Sequence, residues 1–292
     1  MIHDFVHLQA DTTEEALAFL AQHKDSCKII CGGQSLLILM RQGLVAPEYL
    51  IDIKRVEELN YINFDPEEGL RIGATTTHRA IEQSPVIRDN YPVLVDMEEN
   101  LASIQTRNWG TIGGNLAHGE PAGCMAPVLI ALNATVTLAS VERERSLPVE
   151  DFTLDYFETA LEEDELLLEI QVPVMPPKTA AVYEKFTIIR NDMGIVSVAA
   201  SITLDDGGVE CRDARIALGG AASTPLRAKE AEKLVVGQKL NDDMLIRVGG
   251  KASEEAEPVD DIHASASYRG HLVETLTRKM VKKAWEQAEA LA

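Results

Sequence analysis

The chain has 292 residues, 46% hydrophobic and 25% charged, with a formal net charge of −20 from 47 acidic and 27 basic side chains. That suits one large domain or two modest ones with full cores. The acidity argues against nucleic acid, which is bound by cations that displace counterions. No apolar run approaches the roughly 20 residues of a membrane span, and Met1-Ile2-His3-Asp4-Phe5 lacks the basic and apolar regions of a signal peptide, so a cytoplasmic protein is expected.

Thr12–His23 predicts a capped helix with acids in its first turn and an apolar stripe of Ala16, Phe19 and Leu20. Lys28–Cys31 reads as a buried strand stopped by Gly32-Gly33, Ser35–Arg41 as a helix, and Tyr49–Ile53 as a second strand, together a small parallel βαβ unit. Tyr61–Phe64 and Leu70–Ile72 flank the turn Asp65-Pro66-Glu67-Glu68-Gly69 and predict a hairpin. Helical segments follow near Arg79–Glu82 and Val93–Leu101, then a glycine-rich stretch from Gly110 to Gly123. Met125–Leu132 is apolar on all sides and predicts a buried helix despite Pro127, with strands at Ala134–Leu138 and Leu166–Val172. Val174–Lys178, with paired prolines, is the candidate linker. Beyond it lie three strand-like runs, Ala181–Ile189, Ile195–Leu204 and Cys211–Leu218, the last two joined by the turn Asp205-Asp206-Gly207-Gly208. Helical patterns close the chain at Arg227–Leu234, Asp242–Ser253 and His271–Leu291.

The chemistry concentrates in two glycine segments. Cys31-Gly32-Gly33-Gln34-Ser35 joins a buried strand to a helix, so its bare backbone can turn several N–H groups toward one anion while Ser35 adds a hydroxyl. Alone, such a segment also reads as an ordinary tight turn. Thr111-Ile112-Gly113-Gly114-Asn115, far along the chain, repeats the logic of hydroxyl, two glycines and an amide. Two such loops suit the two phosphates of a pyrophosphate, and a side chain placed at Gly33 or Gly113 is expected to occupy the phosphate's space. Neither loop carries the P-loop lysine or the G-x-G-x-x-G of a Rossmann unit, which favours a dinucleotide such as FAD over ATP. The cysteines Cys27, Cys31, Cys124 and Cys211 form no C-x-x-C pair, so no metal site is expected and any redox work falls to an organic cofactor.

Cys31 to Leu37, Gln105 to His118, Ile72-Gly73-Ala74-Thr75-Thr76-Thr77-His78, and Gly219-Gly220 followed by Thr224-Pro225-Leu226-Arg227-Ala228 resemble, in order and spacing, the FAD-binding medium subunits of the xanthine dehydrogenase and aerobic carbon monoxide dehydrogenase family, the molybdenum hydroxylases. The resemblance implies an α+β fold: a two-subdomain FAD-binding domain of the PCMH/VAO type over residues 1–176 (subdomains about 1–57 and 58–176), then a C-terminal domain over 177–292 of three antiparallel strands and a helical bundle. It implies non-covalent FAD lying between the subdomains. Lys28, Ile29, Ile30, Cys31, Gly32, Gly33, Gln34 and Ser35 would line the first loop, and Thr111, Gly113, Gly114 and Asn115 the second. His118 takes a place near the ribityl or phosphate, Leu168 a backbone contact to the flavin ring, and Lys185 a place at the isoalloxazine edge. Cys124 stands where relatives commonly place a cofactor-binding Asp; a thiol is a poorer acceptor than a carboxylate, so Glu120 or a water takes that contact, or flavin binding is weaker.

Two nearby residues stay open at this stage. Trp109 reads as a packing residue or as a cover for the flavin, and Arg107 as holding the loop through backbone carbonyls or facing solvent. The sequence offers no nucleophile–base pair for substrate chemistry, which fits an electron carrier. The resemblance implies a large subunit with the molybdenum cofactor, a small subunit with [2Fe–2S] clusters, a dimer of heterotrimers, and an external acceptor. The alternatives are a free-standing FAD oxidoreductase and a flavin-free scaffold subunit of the same complex.

Overall fold

The computed structural model describes residues 2–291. Three sheets carry the architecture. The first is parallel and small: β1 (Val6–Gln9), β2 (Cys27–Ile30) and β3 (Tyr49–Asp52), in the order β1-β3-β2. Helix α1 (Thr13–His23) and helix α2 (Leu36–Gln42) make its crossovers, and the Thr12 side chain caps α1 by accepting from the Glu15 amide. The βαβ unit read from the sequence is present. Strand β1 was not expected; its four residues are too few to show a period, and its place is fixed by pairing with β3.

The second sheet is antiparallel. It contains β4 (Ile62–Asp65), β5 (Gly69–Gly73), β6 (Thr135–Ala139), β7 (Glu144–Pro148) and, after the short hairpin of β8 (Thr153–Asp155) and β9 (Glu158–Thr159), β10 (Leu166–Val172), in the order β4-β5-β10-β6-β7. A run of short helices crosses one face: α3 (His78–Gln83), α4 (Pro85–Asn90), α5 (Pro92–Glu99), α6 (Ile104–Trp109), α7 (Ile112–Ala117) and α8 (Met125–Ala131). Every residue of α8 is buried, and Pro127 sits in its first turn, where an amide has no intrahelical acceptor to lose.

The third sheet holds β11 (Thr179–Phe186), β12 (Val196–Leu204), β13 (Cys211–Gly219) and a two-residue edge strand, β14 (Leu226–Arg227). Sequence reasoning expected three strands and ran the first to Ile189. The chain leaves the ladder after Phe186, and Ile188 and Ile189 stand exposed. Helices α9 (Lys229–Lys233), α10 (Asp242–Glu255) and α11 (Ala266–Ala290) follow; α11 starts earlier than the apolar pattern suggests because Ser265 caps it. Strand β12 is buried at all positions: α11 covers one face, while on the other the small Ala199 and its β13 partner Ala217 enter the core built by α5, α8 and the second sheet.

Candidate functional site

The loop after β2 and the α6–α7 junction meet. A Cβ built on Gly32 would overlap the Trp109 carbonyl oxygen and lie 2.8 Å from Gly110 Cα, so only glycine lets these two backbones touch. The junction is anchored from behind by a short antiparallel exchange: His78 N donates to Gly110 O at 3.0 Å, and Ile112 N to Thr76 O at 3.0 Å. Segments some eighty residues apart thus form one wall of a cleft of about 880 Å³, within the usual range of about 300–1,000 Å³ for cofactor sites.

Lys28 to Ser35, Thr111, Gly113, Gly114, Asn115, His118, Cys124 and Lys185 all line this cleft. Leu168 does not; its neighbours Leu166 and Leu167 do, because a β-bulge between Leu167 and Glu169 turns Leu168 aside and its carbonyl accepts from the Ala74 amide at 2.9 Å.

The two glycine segments differ in what they leave free. Among the described residues, the amides of Gly32, Gly33, Gln34 and Ser35 find no acceptor, and the Ser35 hydroxyl makes no capping bond. Gly33, at φ +67°, has the left-handed backbone that turns such a run inward. The second segment is no loop but the first turn of α7. There Ile112 N is taken by Thr76 O, Gly113 N by Ala74 O at 3.0 Å, and Gly114 N by Thr111 Oγ1 at 3.2 Å. A Cβ on Gly113 would lie 2.7 Å from Ala74, not in the cleft. The expectation that both segments offer bare amides, and that a side chain at Gly113 would fill the phosphate's space, is therefore wrong for the second. Gly113 serves packing against Ala74, and the segment presents side chains instead: Asn115, whose amide group has no partner among the described residues, and Thr111.

Thr111 also faces Cys31. Burial pushes the Cys31 thiol up to about 11, partly opposed by the Thr111 hydroxyl, so it is a protonated wall residue and no nucleophile at neutral pH. Burial likewise lowers the His118 pKa, and the ring lies 5.2 Å from that of Phe157, an apolar setting that favours the neutral imidazole. Lys185 Nζ donates to the Asp192 carbonyl at 2.6 Å, tying the cleft rim to the segment after β11. Cys124 is buried beside Tyr183 and Ser197; both hydroxyls are buried without a good hydrogen bond, and burial, then the neighbouring Cys124, push Tyr183 well above its ordinary value.

The buried pair of His78 and Glu98 escaped the sequence reading, while Arg107 takes the first of its two readings, a hold on backbone carbonyls. His78 lines the cleft and holds Glu98 through Nδ1 at 2.9 Å, with both groups buried. Burial pushes the Glu98 carboxyl up despite His78 and Arg107. Arg107 turns inward, donating to the Leu101 carbonyl at 2.6 Å and the Ala102 carbonyl at 2.9 Å and pairing with Glu82 at 2.8 Å, which fixes a turn that lines the cleft. Trp109 is 53% exposed, with Lys54 Nζ 3.2 Å from its ring centroid, so of its two readings burial in the packing is not the one the structure shows.

Comparison with known proteins agrees with this architecture. The family described as the FAD binding domain in molybdopterin dehydrogenase matches residues 3–175, and the CO dehydrogenase flavoprotein C-terminal domain matches residues 181–284. The chain is 36% identical to the glyceraldehyde dehydrogenase medium chain of Sulfolobus acidocaldarius, over 96% of its own length and 98% of that protein. It is 32% identical to the carbon monoxide dehydrogenase medium chain of Hydrogenophaga pseudoflava over 93% of each. In structure it is similar to carbon monoxide dehydrogenase from that organism (TM-score 0.94, 31% identity, 98% of this chain and 99% of that one) and to quinoline 2-oxidoreductase from Pseudomonas putida 86 (TM-score 0.92, 30% identity, 99% of each).

Proposed function

We propose, for a chain that belongs to the FAD-binding medium-subunit family of the molybdenum hydroxylases, that it relays electrons from the [2Fe–2S] clusters of a small partner subunit through one non-covalently held FAD to an external acceptor. It is an oxidoreductase subunit whose cofactor is FAD; the molybdenum and iron–sulfur centres of such enzymes lie on other subunits. The division into a flavin domain over 1–176 and a C-terminal domain over 177–292 belongs to this reading. It is supported by the change of sheet between β10, which ends at Val172, and β11, which begins at Thr179.

The observation that carries the reading is the acceptor-free run of amides at Gly32–Ser35, facing a cleft large enough for a dinucleotide. These residues fit the cofactor: the run and the Ser35 hydroxyl would hold the diphosphate, with Thr111 and Asn115 opposite. Bound there, the flavin supplies a centre that accepts electrons singly and stores two. The chain's residues bind and orient. Arg107 fixes the Leu101–Ala102 turn, His78 and Glu98 brace the Gly110 junction, and Lys185 places a cation at one end of the cleft, where positive charge stabilises an anionic reduced ring.

Glyceraldehyde, carbon monoxide and 6-hydroxypseudooxynicotine appear in the names of similar medium chains or subunits, a spread that suits a substrate pocket on another chain. A dimer of heterotrimers and a cytosolic setting complete the reading, the latter consistent with four free cysteines. Among the described residues no helix is long and apolar enough to cross a membrane. The test is purification of the full chain. A yellow protein that releases FAD on acid denaturation and turns over no organic substrate alone is expected. Substrate turnover by the isolated chain makes it a free-standing oxidoreductase, and a colourless chain that still joins large and small subunits makes it a scaffold.

A further inference from the structure

Backbone strain gathers at the cleft. Among the described residues five non-glycine residues have positive φ, and three of them, Ala102, Phe157 and Asn191, line the cleft. Phe157, at φ +56°, is the one aromatic of the five. A bulky side chain rarely takes this left-handed backbone, because its Cβ crowds the following carbonyl oxygen.

The turn itself asks for a different residue. Phe157 sits in the two-residue tip between β8 and β9, where Asp155 pairs with Glu158 and the Tyr156 amide donates to Asp155 Oδ1 at 2.8 Å. In such tips the residue of positive φ is normally Gly or Asn. Nor is the tip free to relax. Phe157 N donates to Gly119 O at 3.0 Å, and a Cβ on Gly119, itself at φ +65°, would lie 3.2 Å from the Cα and carbonyl carbon of Phe157. The tip and the end of α7 are thus clamped backbone to backbone. The phenyl ring is poorly covered all the same. It lies 5.2 Å from the His118 ring at an angle of 50°, and the residue is 56% exposed. A strained, clamped and half-bare aromatic on a cleft wall points to a ligand ring that completes its packing.

Its place decides which ring. The neighbouring Tyr156 lines an adjoining cavity together with Asp192 and Met193, and Lys185 donates to the Asp192 carbonyl, so Phe157 stands at the Lys185 end of the cleft. We propose that Phe157 is a flavin contact: its ring packs on the isoalloxazine of bound FAD and screens it from solvent at the rim. This rests on the flavin reading above. Glycine or asparagine would suit the turn better but would leave the flavin ring uncovered there.

The test is calorimetric titration of FAD, and of ADP-ribose, into the full chain stripped of flavin. ADP-ribose keeps the adenosine and the diphosphate but has no flavin ring. The variants are Phe157→Gly, Phe157→Asn and Phe157→Tyr. The first two suit the left-handed backbone, so a Tm at or above the native one is expected, and Phe157→Asn repeats the test if glycine loosens the hairpin. Both are expected to weaken FAD binding about tenfold and to leave ADP-ribose binding unchanged, while Phe157→Tyr restores an aromatic face and near-native FAD affinity. Equal weakening of FAD and ADP-ribose overturns the contact, because a ring-to-ring contact acts on FAD alone. Phe157→Tyr as weak as Phe157→Gly overturns it as well. A native chain that binds neither ligand brings down the flavin reading and this proposal with it; a native chain that binds FAD, with Phe157→Gly and Phe157→Asn binding it equally well, brings down this one alone.

Discussion

Replacing Gly32 by alanine tests the contact on which the cleft depends. The new methyl would lie 2.8 Å from Gly110 Cα and 2.9 Å from the Trp109 carbonyl carbon, where carbon atoms normally rest about 3.5–4.0 Å apart. The obstructing atoms are backbone, and α6 and α7 are pinned by the Thr76 and Gly110 exchanges, so the two segments must part by most of an ångström. Overpacking of this kind costs about 1–3 kcal/mol, and rigid neighbours place Gly32→Ala near the upper end. At about 2–4 °C per kcal/mol for a domain of this size, a fall in Tm of roughly 4–10 °C follows. Gly43→Ala is the control: Gly43 has φ +74° but nothing within 4 Å of its Cβ, so it costs backbone strain of about 1–2 kcal/mol without touching the cleft. Differential scanning fluorimetry reads Tm, and the ratio of flavin to protein absorbance reads occupancy. Gly32→Ala is expected to lose both stability and FAD, Gly43→Ala stability alone. A Gly32→Ala protein with full flavin content and native Tm refutes the contact between the loop after β2 and the α6–α7 junction.

Three further outcomes follow from the geometry. Ser35→Ala removes a hydroxyl with no capping bond, so Tm should hold while FAD affinity falls by about 1 kcal/mol, roughly fivefold, as read by fluorescence titration of the apoprotein; a lower Tm with unchanged affinity would assign the hydroxyl to folding. Cys124→Asp sets a carboxylate beside the Tyr183 and Ser197 hydroxyls, both short of good partners, and should tighten FAD binding; weaker binding would mean the carboxylate is buried unpaired. Glu98 has its pKa raised above 4.5 by complete burial, so the fold favours its protonated form, and that contribution is full below pH 4.5 and lost as pH rises through the raised value. The Tm of the native chain should therefore fall relative to that of Glu98→Gln as pH climbs from 4.5 to 7.5, and a difference that grows the other way sinks the assignment.

The parts of the fold written in short-range patterns were legible. Capping by Thr12, the turn after Asp65, and the all-apolar run of α8 each declare an element without tertiary help. Strand β1, strand β7 and the pair-length β14 did not declare themselves, because their places come from partners distant in sequence. The same distinction governs the site. That Gly32 and Gly33 matter could be read from a strand–glycine–helix sequence. That Arg107 turns inward onto the Leu101 and Ala102 carbonyls, or that His78 meets Glu98, required the helices to be packed first.

The two glycine pairs show why a shared motif need not mean a shared role. A glycine is required where a ligand approaches its backbone and equally where another part of the protein does, and the sequence looks the same in both cases. Amide partners separate the two. At Gly32–Ser35 four consecutive donors are left over, and leftover donors beside a cavity call for an anion. At Gly113–Gly114 the donors are spent on Ala74 and Thr111, and the space in front of Gly113 Cα is filled by Ala74. The second pair therefore acts at one remove. It lets α7 sit tightly enough on Ala74 for Thr111 and Asn115 to face the first loop, so substitutions there should disturb flavin binding through helix position and stability together. Substitution of Ser35 should disturb binding alone.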